Sequence, residues 1–437
     1  MSTDRGARAP VPRWTTRHFG RVLVVCGAAA ISFATLTPSA QPQMPLSFCL
    51  ACGELGGVDV LLNVLLFLPL GTGLAMSGVS RRRALGMMCT ATVVIELLQL
   101  FFIRGRDASL GDVLSNSTGG ALGFYIGRHV YQLLWPSRKN GPRLAAAAGA
   151  AWIFGTTMGC FALLPSPTDS RYFGQLARQL GAHPAYTGRI LAASVANARF
   201  PDEEFPDALS VARALRAGPG ARTELVIVLH RGTADPRAIA RIADADQNEI
   251  LQVGEQANDL LFAVRTYAPA FRMRPIVLRM PSALRAAATA GQGDDTLRIA
   301  AEYVPPRARM SVRIGFDARH AVLPLTPAQA WRVIAPAQVD IDGSLAGATL
   351  DACFLFLVAL PLGYWAAASG WNDPITRVSL GIVSVSLILG LAEGPLLFRL
   401  ATARWWEVIG QVAGVACGSG LALIIARHRL PVGARAA

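Results

Sequence analysis

Asp59-Val-Leu-Leu-Asn63-Val-Leu-Leu-Phe67-Leu-Pro69-Leu-Gly71 decides how this chain is read. Much later, Asp351-Ala-Cys-Phe-Leu355-Phe-Leu-Val-Ala-Leu-Pro361-Leu-Gly363 repeats its acid, its apolar run and its Pro-Leu-Gly at the same spacing. A companion pair follows: Asp112-Val-Leu-Ser-Asn116-Ser-Thr-Gly119-Gly-Ala-Leu-Gly123 aligns with Glu407-Val-Ile-Gly-Gln411-Val-Ala-Gly414-Val-Ala-Cys-Gly418. Acid meets acid, amide meets amide, and glycines coincide. Runs this apolar are helices for a bilayer, where a carboxylate is costly, so acids kept at fixed positions point to a site.

Composition agrees with a membrane location. The 437 residues are 52% hydrophobic and only 16% charged, with mean hydropathy +0.39. Apolar blocks lie near 21–38, 59–77, 84–103, 110–134, 144–164, 346–368, 376–398 and 404–426. We therefore expect an α-helical polytopic membrane protein of about eight transmembrane helices. Spans 2–4 and 6–8 form two parallel three-helix repeats, and an all-β domain is inserted between the two halves.

The net charge of +13 does not point to nucleic acid, because no basic face interleaved with aromatics appears. The arginines flank the spans instead: Arg5, Arg8, Arg13 and Arg17 before the first, and Arg81-Arg82-Arg83 between the second and third. Arg138, Lys139 and Arg143 follow the fourth, and Arg427, Arg429 and Arg435 follow the last. Positive residues inside then place both termini in the cytoplasm and the insert outside. Arg104, Arg106, Arg399 and Arg404 fall on the external side, against the bias, as if held there by acids. The first block carries a Pro-Ser-Ala40 that resembles a cleavage site, but its length favours a retained anchor. Cys49 and Cys52 form a pair in the first external loop, where a local disulfide would fit. No His/Cys spacing for a metal is present, and no cofactor is implied.

Domain limits follow: a cytoplasmic tail at 1–20, a first membrane domain at 21–164, an extracytoplasmic β-sandwich at 165–345 and a second membrane repeat at 346–437. In the insert, 224–229, 249–253, 259–264, 275–278, 296–300, 310–314 and 338–341 read as short strands bounded by turn residues. Asp244, Asp246 and Asn248 alternate like the start of a calcium loop. Glu249 stands where such a loop wants glycine, which favours an ordinary turn.

Asp59 and Asn63 share one face of span 2, and Glu96 and Gln99 one face of span 3. Asp112 and Asn116 share one face of span 4. Glu96 lies about 10 Å below the end of its span, and Arg104 and Arg106 lie in the turn just above. We expect these eight residues to form an external-side polar cavity, with Arg106 paired to Glu96 or Asp112. The second copy keeps Asp351, Glu393, Glu407 and Gln411 but has Leu355 and Leu396 in place of two amides, which fits scaffold or a half-site. No catalytic residue can be assigned from these patterns.

The series Asp59, Asn63, Phe67, Pro69-Leu-Gly71, Glu96, Gln99, Arg106, Asp112, Asn116 and Gly119 resembles the VanZ-like membrane domain over about 21–135. Thr37-Pro38 resembles the end of that family's first helix, and spans 6–8 look like a decayed copy. The insert resembles a concanavalin A-like or laminin-G-like jelly roll. The resemblance implies a protein of the bacterial inner membrane, linked through the family's founding member to teicoplanin resistance. The expected partners are a membrane lipid or lipid-linked glycan at the cavity and cell-wall glycan at the β domain. Transport or flipping, and an envelope sensor or scaffold, are the alternatives. An enzymatic step stays open.

Overall fold

The structure, a computed structural model, describes residues 13–38, 55–106, 108–166 and, with short interruptions, 171–335, together with 345–368 and 373–427. Cys49, Cys52 and the strand expected at 338–341 lie outside the described residues. The chain divides into two compact units, Met1–Pro136 and Ser137–Ala437.

The first unit holds α1 (Arg13–Leu36), α2 (Gly56–Met76), α3 (Arg81–Phe102), α4 (Leu110–Arg128) and the short α5 (Val130–Leu134). Local chemistry sets the ends. Past Ser77, the C-cap of α2, Gly78 has φ of +86°, a left-handed turn that glycine adopts without strain. Ser109 caps α4, its Oγ accepting the Asp112 N–H at 3.0 Å. Span 4, expected as one block to 134, ends instead at Arg128, where His129 leaves helical geometry before α5 begins.

The second unit begins with α6 (Asn140–Leu163), continues through the β region, and ends with α7 (Leu345–Ala367), α8 (Pro374–Leu397) and α9 (Trp405–Arg427). Sequence reading grouped the fifth span with the first four. It packs instead on α8 and α7, so the division falls after Pro136 rather than after 164. Asp373 starts α8 by accepting the Ile375 N–H, with Pro374 at the first helical position.

Seven of these helices are long and apolar enough to cross a membrane: α1, α2, α3, α6, α7, α8 and α9. The eighth expected span, α4, is not among them. It has 19 residues rich in Gly, Ser, Thr and Asn, and it covers its polarity by packing on α2. Phe101, Phe102, Leu65, Leu357, Leu396 and Leu397 point outward. Outward apolar side chains on helices are what a lipid environment requires.

Glycine seams join α2 to α4 and α7 to α9. A Cβ on Gly123 would stand 2.2 Å from the Leu68 carbonyl oxygen, one on Gly119 2.3 Å from that of Val64, and one on Gly71 2.0 Å from that of Gly120. In the second unit Gly418 meets Leu360 at 2.0 Å, Gly414 meets Phe356 at 2.4 Å, and Gly363 meets Val415 at 2.2 Å. These partners are the ones the sequence alignment pairs, residue for residue. Backbones this close are typical of small-residue helix packing in membranes. The likeness stops at the third helix: α3 packs on α4, whereas α8 packs on α6 and α7.

The β region is two antiparallel sheets. One runs β1 (Tyr172–Leu176), β5 (Arg237–Asp244), β6 (Glu249–Gln256), β7 (Asp259–Val264), β8 (Val277–Met280). The other runs β11 (Arg319–Pro324), β10 (Arg309–Ile314), β9 (Thr296–Val304), β4 (Ala221–Val228), β2 (Ile190–Val195), β3 (Ala198–Arg199). Ile239, Ile242, Leu251 and Phe262 of one sheet share a core with Leu225, Ile227, Leu297 and Ile299 of the other, and Cys160 and Leu163 at the end of α6 join it. Asp244 closes the β5–β6 turn. Its Oδ1 accepts the N–H groups of Asp246 and Asn248, and its Oδ2 accepts the Asn248 amide at 2.9 Å. That carboxylate serves the turn. A 3-10 helix, Pro327–Ile334, follows β11 and leads back to the membrane helices.

Candidate polar site in the first membrane unit

Three helix ends meet here: the starts of α2 and α4 and the finish of α3. Asp59 and Asp112 sit in first turns, where a helix N-terminus favours an anion. The Asn63 amide donates to Asp112 Oδ1 at 2.8 Å, tying α2 to α4. Glu96 on α3 is 7% exposed, and its Oε2 accepts the Ser109 N–H at 2.8 Å, which anchors the start of α4. Asp112 lies within electrostatic reach of both Asp59 and Glu96.

One turn deeper, Asn116 on α4 donates to Thr92 Oγ1 at 2.9 Å, while one turn nearer the end of α3 Gln99 donates to the Thr35 carbonyl of α1 at 2.9 Å. A backbone carbonyl can only accept, so Gln99 must present its amide nitrogen there and its Oε1 elsewhere. Both amides are buried, and Gln99 Oε1 and Asn116 Oδ1 find no hydrogen-bond partner. The site thus brings Asp59, Asn63, Glu96, Gln99, Asp112 and Asn116 to one end of the unit.

Arg106 does not pair as expected. Its Nη2 donates to the Ala34 carbonyl at 2.8 Å and its Nε to that of Thr37 at 3.2 Å; no ion pair joins it to Glu96 or Asp112. The reason is local. The last carbonyls of α1 lack intrahelical donors and carry the negative end of the helix dipole, and a guanidinium fork satisfies two at once. Its charge reaches Asp112 only at longer range. Arg104 is exposed in the same turn.

In the second unit the corresponding acids have internal donors. Asp351 Oδ1 accepts from Arg332 Nε at 3.1 Å, Arg332 Nη2 at 2.9 Å and Trp331 Nε1 at 3.0 Å. Arg332 also donates to the Gly347 carbonyl at 3.1 Å, and Trp331 stacks on Phe354. Glu407 accepts from Thr326 Oγ1 and the Arg404 N–H, both at 2.8 Å, while the Arg404 guanidinium lies over the Trp406 ring. Glu393 accepts from Thr157 Oγ1 at 2.7 Å. Gln411 is buried with its Nε2 unpartnered.

Sequence reasoning missed Thr326, Trp331, Arg332 and Thr157. A signal was available for the first three: Thr326-Pro327-Ala-Gln329 is a capping box with proline at the first helical position, directly ahead of a span that carries an acid.

The β region holds a further buried acid. Glu255 on β6 is 0% exposed and neither oxygen has a hydrogen-bond partner. Burial pushes its carboxyl up to about 7, against a weaker opposing pull from Arg237, its cross-strand neighbour. Tyr186 nearby is pushed up to about 12, by burial first and then by the Glu255 charge.

Among known proteins, residues 16–132 match the family model described as VanZ/LLP1. No curated protein and no solved structure matches the chain. The match ends where the first compact unit ends and spans every residue of the acid-and-amide cluster, so this unit carries a VanZ-like membrane domain.

Proposed function

We propose that the protein is a bacterial cell-envelope membrane protein whose first unit binds the headgroup of a membrane lipid or lipid-linked glycan. The observation that carries this reading is the gathering of Glu96, Asp112, Asn63 and Gln99 at one end of helices that otherwise turn apolar side chains outward. Polar groups at that depth are retained for a reason, and two of the buried amide oxygens still lack donors. Arginines at 81–83 and 138–143 favour the opposite end as cytoplasmic, which would turn the acid-and-amide cluster and the β-sandwich outward. There the sandwich, read as jelly-roll-like, would engage cell-wall glycan. The VanZ-like domain makes a link to glycopeptide resistance part of the same reading.

Lipid co-purified with the wild type and with Glu96→Gln, identified by mass spectrometry, tests it. A species retained by the wild type and depleted in the variant is expected. Identical lipid complements in two well-folded proteins would refute it.

A transporter or flippase is the second reading. It draws on the matched glycine seams, which suit a duplicated helix pair serving two related halves. Substrate flux in reconstituted vesicles is its test.

A further inference from the structure

The two ends of the first unit carry opposite charge. The acids among its described residues, Asp59, Glu96 and Asp112, all stand toward the end where α2 and α4 start and α3 finishes. At the other end, where α2 and α4 finish and α3 starts, the described residues of the unit include none. Arg17, Arg81, Arg82, Arg83 and Arg128 lie there instead, all exposed and none in an ion pair with a described residue.

That basic end holds a cavity of about 350 Å³, whose lining includes Gly78, Val79, Ser80, Phe124, Arg128 and Tyr131. Its size suits a small polar group. Arg17 lies against the same turn: a Cβ on Gly78 would stand 3.8 Å from Arg17 Nε. Acceptors here are used up, since the carbonyls of Gly73, Leu74 and Ala75 at the end of α2 take the N–H groups of Ser77, Val79 and Gly78. Donors stay open. Ser80 precedes α3 without a side-chain cap bond, and the N–H groups of Arg81 to Arg83 have no carbonyl within the helix to reach. Open N–H groups and guanidinium around one cavity suit an anion; an ammonium would meet only arginine.

Depth points to a lipid as the source. Tyr131 stacks on Trp135 with ring centroids 5.6 Å apart, an aromatic pair of the kind that sits at headgroup level. Val79 and Phe124 make part of the lining apolar, and Leu122 and Ile126 of α4 and Met87 of α3 face outward within about two turns. Charge bias alone explains arginines flanking the spans. It does not explain a cavity lined by one of them beside a helix start with open donors.

We infer that this cavity holds the phosphate of an anionic phospholipid, gripped by Arg128, Arg17 and the start of α3, with its acyl chains along the outward faces of α3 and α4. This is a second site, at the end of the unit away from Glu96, and it stands whether or not the acidic end binds a headgroup.

The full chain in nanodiscs of phosphatidylglycerol and phosphatidylethanolamine in equal amounts tests this, with retained lipid read by native mass spectrometry. Phosphatidylglycerol should be retained about tenfold over phosphatidylethanolamine. Arg128→Gln should cut that preference about fivefold, and Arg128→Lys should keep most of it. Should Arg128→Gln fail to fold, Arg17→Gln at its exposed position carries the same expectation. Arg143→Gln, exposed on α6 and outside the cavity lining, should leave the preference unchanged. An equal loss there would reduce the effect to diffuse attraction between basic helix ends and acidic lipid, and overturn the site. A preference lost in Glu96→Gln but kept in Arg128→Gln would place the lipid at the acidic end and overturn it too. Glycerol 3-phosphate bound with the same Arg128 dependence, with no phosphatidylglycerol retained, would overturn the lipid source. Equal retention of the two phospholipids by the wild type would overturn the inference outright.

Discussion

Arg332→Met is the perturbation that most directly probes how the second unit is held. Arg332 is 3% exposed and Asp351 1% exposed, and the guanidinium supplies two of the three hydrogen bonds to Asp351 Oδ1. Removing it leaves a buried carboxylate with the indole alone, a loss of about 3–5 kcal/mol. Asp351→Leu strands the guanidinium on the Gly347 carbonyl and should cost about as much. The double variant removes both charges and should return to within about 1 kcal/mol of the wild type, because the pair's attraction mainly offsets its own desolvation. Unfolding in mild detergent, followed through tryptophan emission, measures the cycle; Trp331 stacks on Phe354 and so reports from the site itself. Single variants that each cost under about 1 kcal/mol, or a double variant that costs the sum of both, would refute the buried-pair account.

The glycine seams predict that Gly123→Ala and Gly418→Ala each cost about 1–3 kcal/mol in thermal stability, since contacts of 2.2 and 2.0 Å force the helices apart by about 1 Å. Gly155→Ala, which meets open space, should be neutral in the same assay. Glu255 predicts a pH dependence of the β region. Its folded value of about 7 lies above the ordinary 4.5, so the folded state binds the proton more tightly. Stability is then full below pH 4.5 and falls as pH rises toward 7, for a total of about 3 kcal/mol. Glu255→Gln should flatten that slope; a stability profile across pH 4–8 that is unchanged by the variant would count against it.

The membrane helices were legible because apolar length and flanking arginine follow directly from the bilayer's thickness and charge bias. In the first unit helical spacing puts Asp59/Asn63, Glu96/Gln99 and Asp112/Asn116 on shared faces, and Asn63 does bond Asp112, but Gln99 and Asn116 turn to Thr35 and Thr92, partners that spacing does not name. The partner of Arg106 was not legible either. Spacing places it near two carboxylates, but nothing in spacing weighs them against the open carbonyls of α1. Strands were read where large apolar residues run together between turn residues, as at β7, whose limits agree residue for residue. They were missed where alanine dilutes the signal: Arg237-Ala-Ile-Ala-Arg-Ile-Ala-Asp244 favours a helix by propensity yet forms β5, held between β1 and β6.

A carboxylate among apolar helices needs donors, and in the second unit a buried arginine is one of them. If transport required the second unit to expose its acids, the 3-10 helix would have to withdraw. That breaks the Arg332–Asp351 pair and the Thr326–Glu407 bond together. At about 3 kcal/mol or more the opened state stays below about 1% of molecules. A ligand could raise that population only by binding the opened state more tightly by a matching factor. The headgroup binding proposed for the first unit breaks neither contact. The closed second unit therefore favours the proposed single-site reading over transport between two sites.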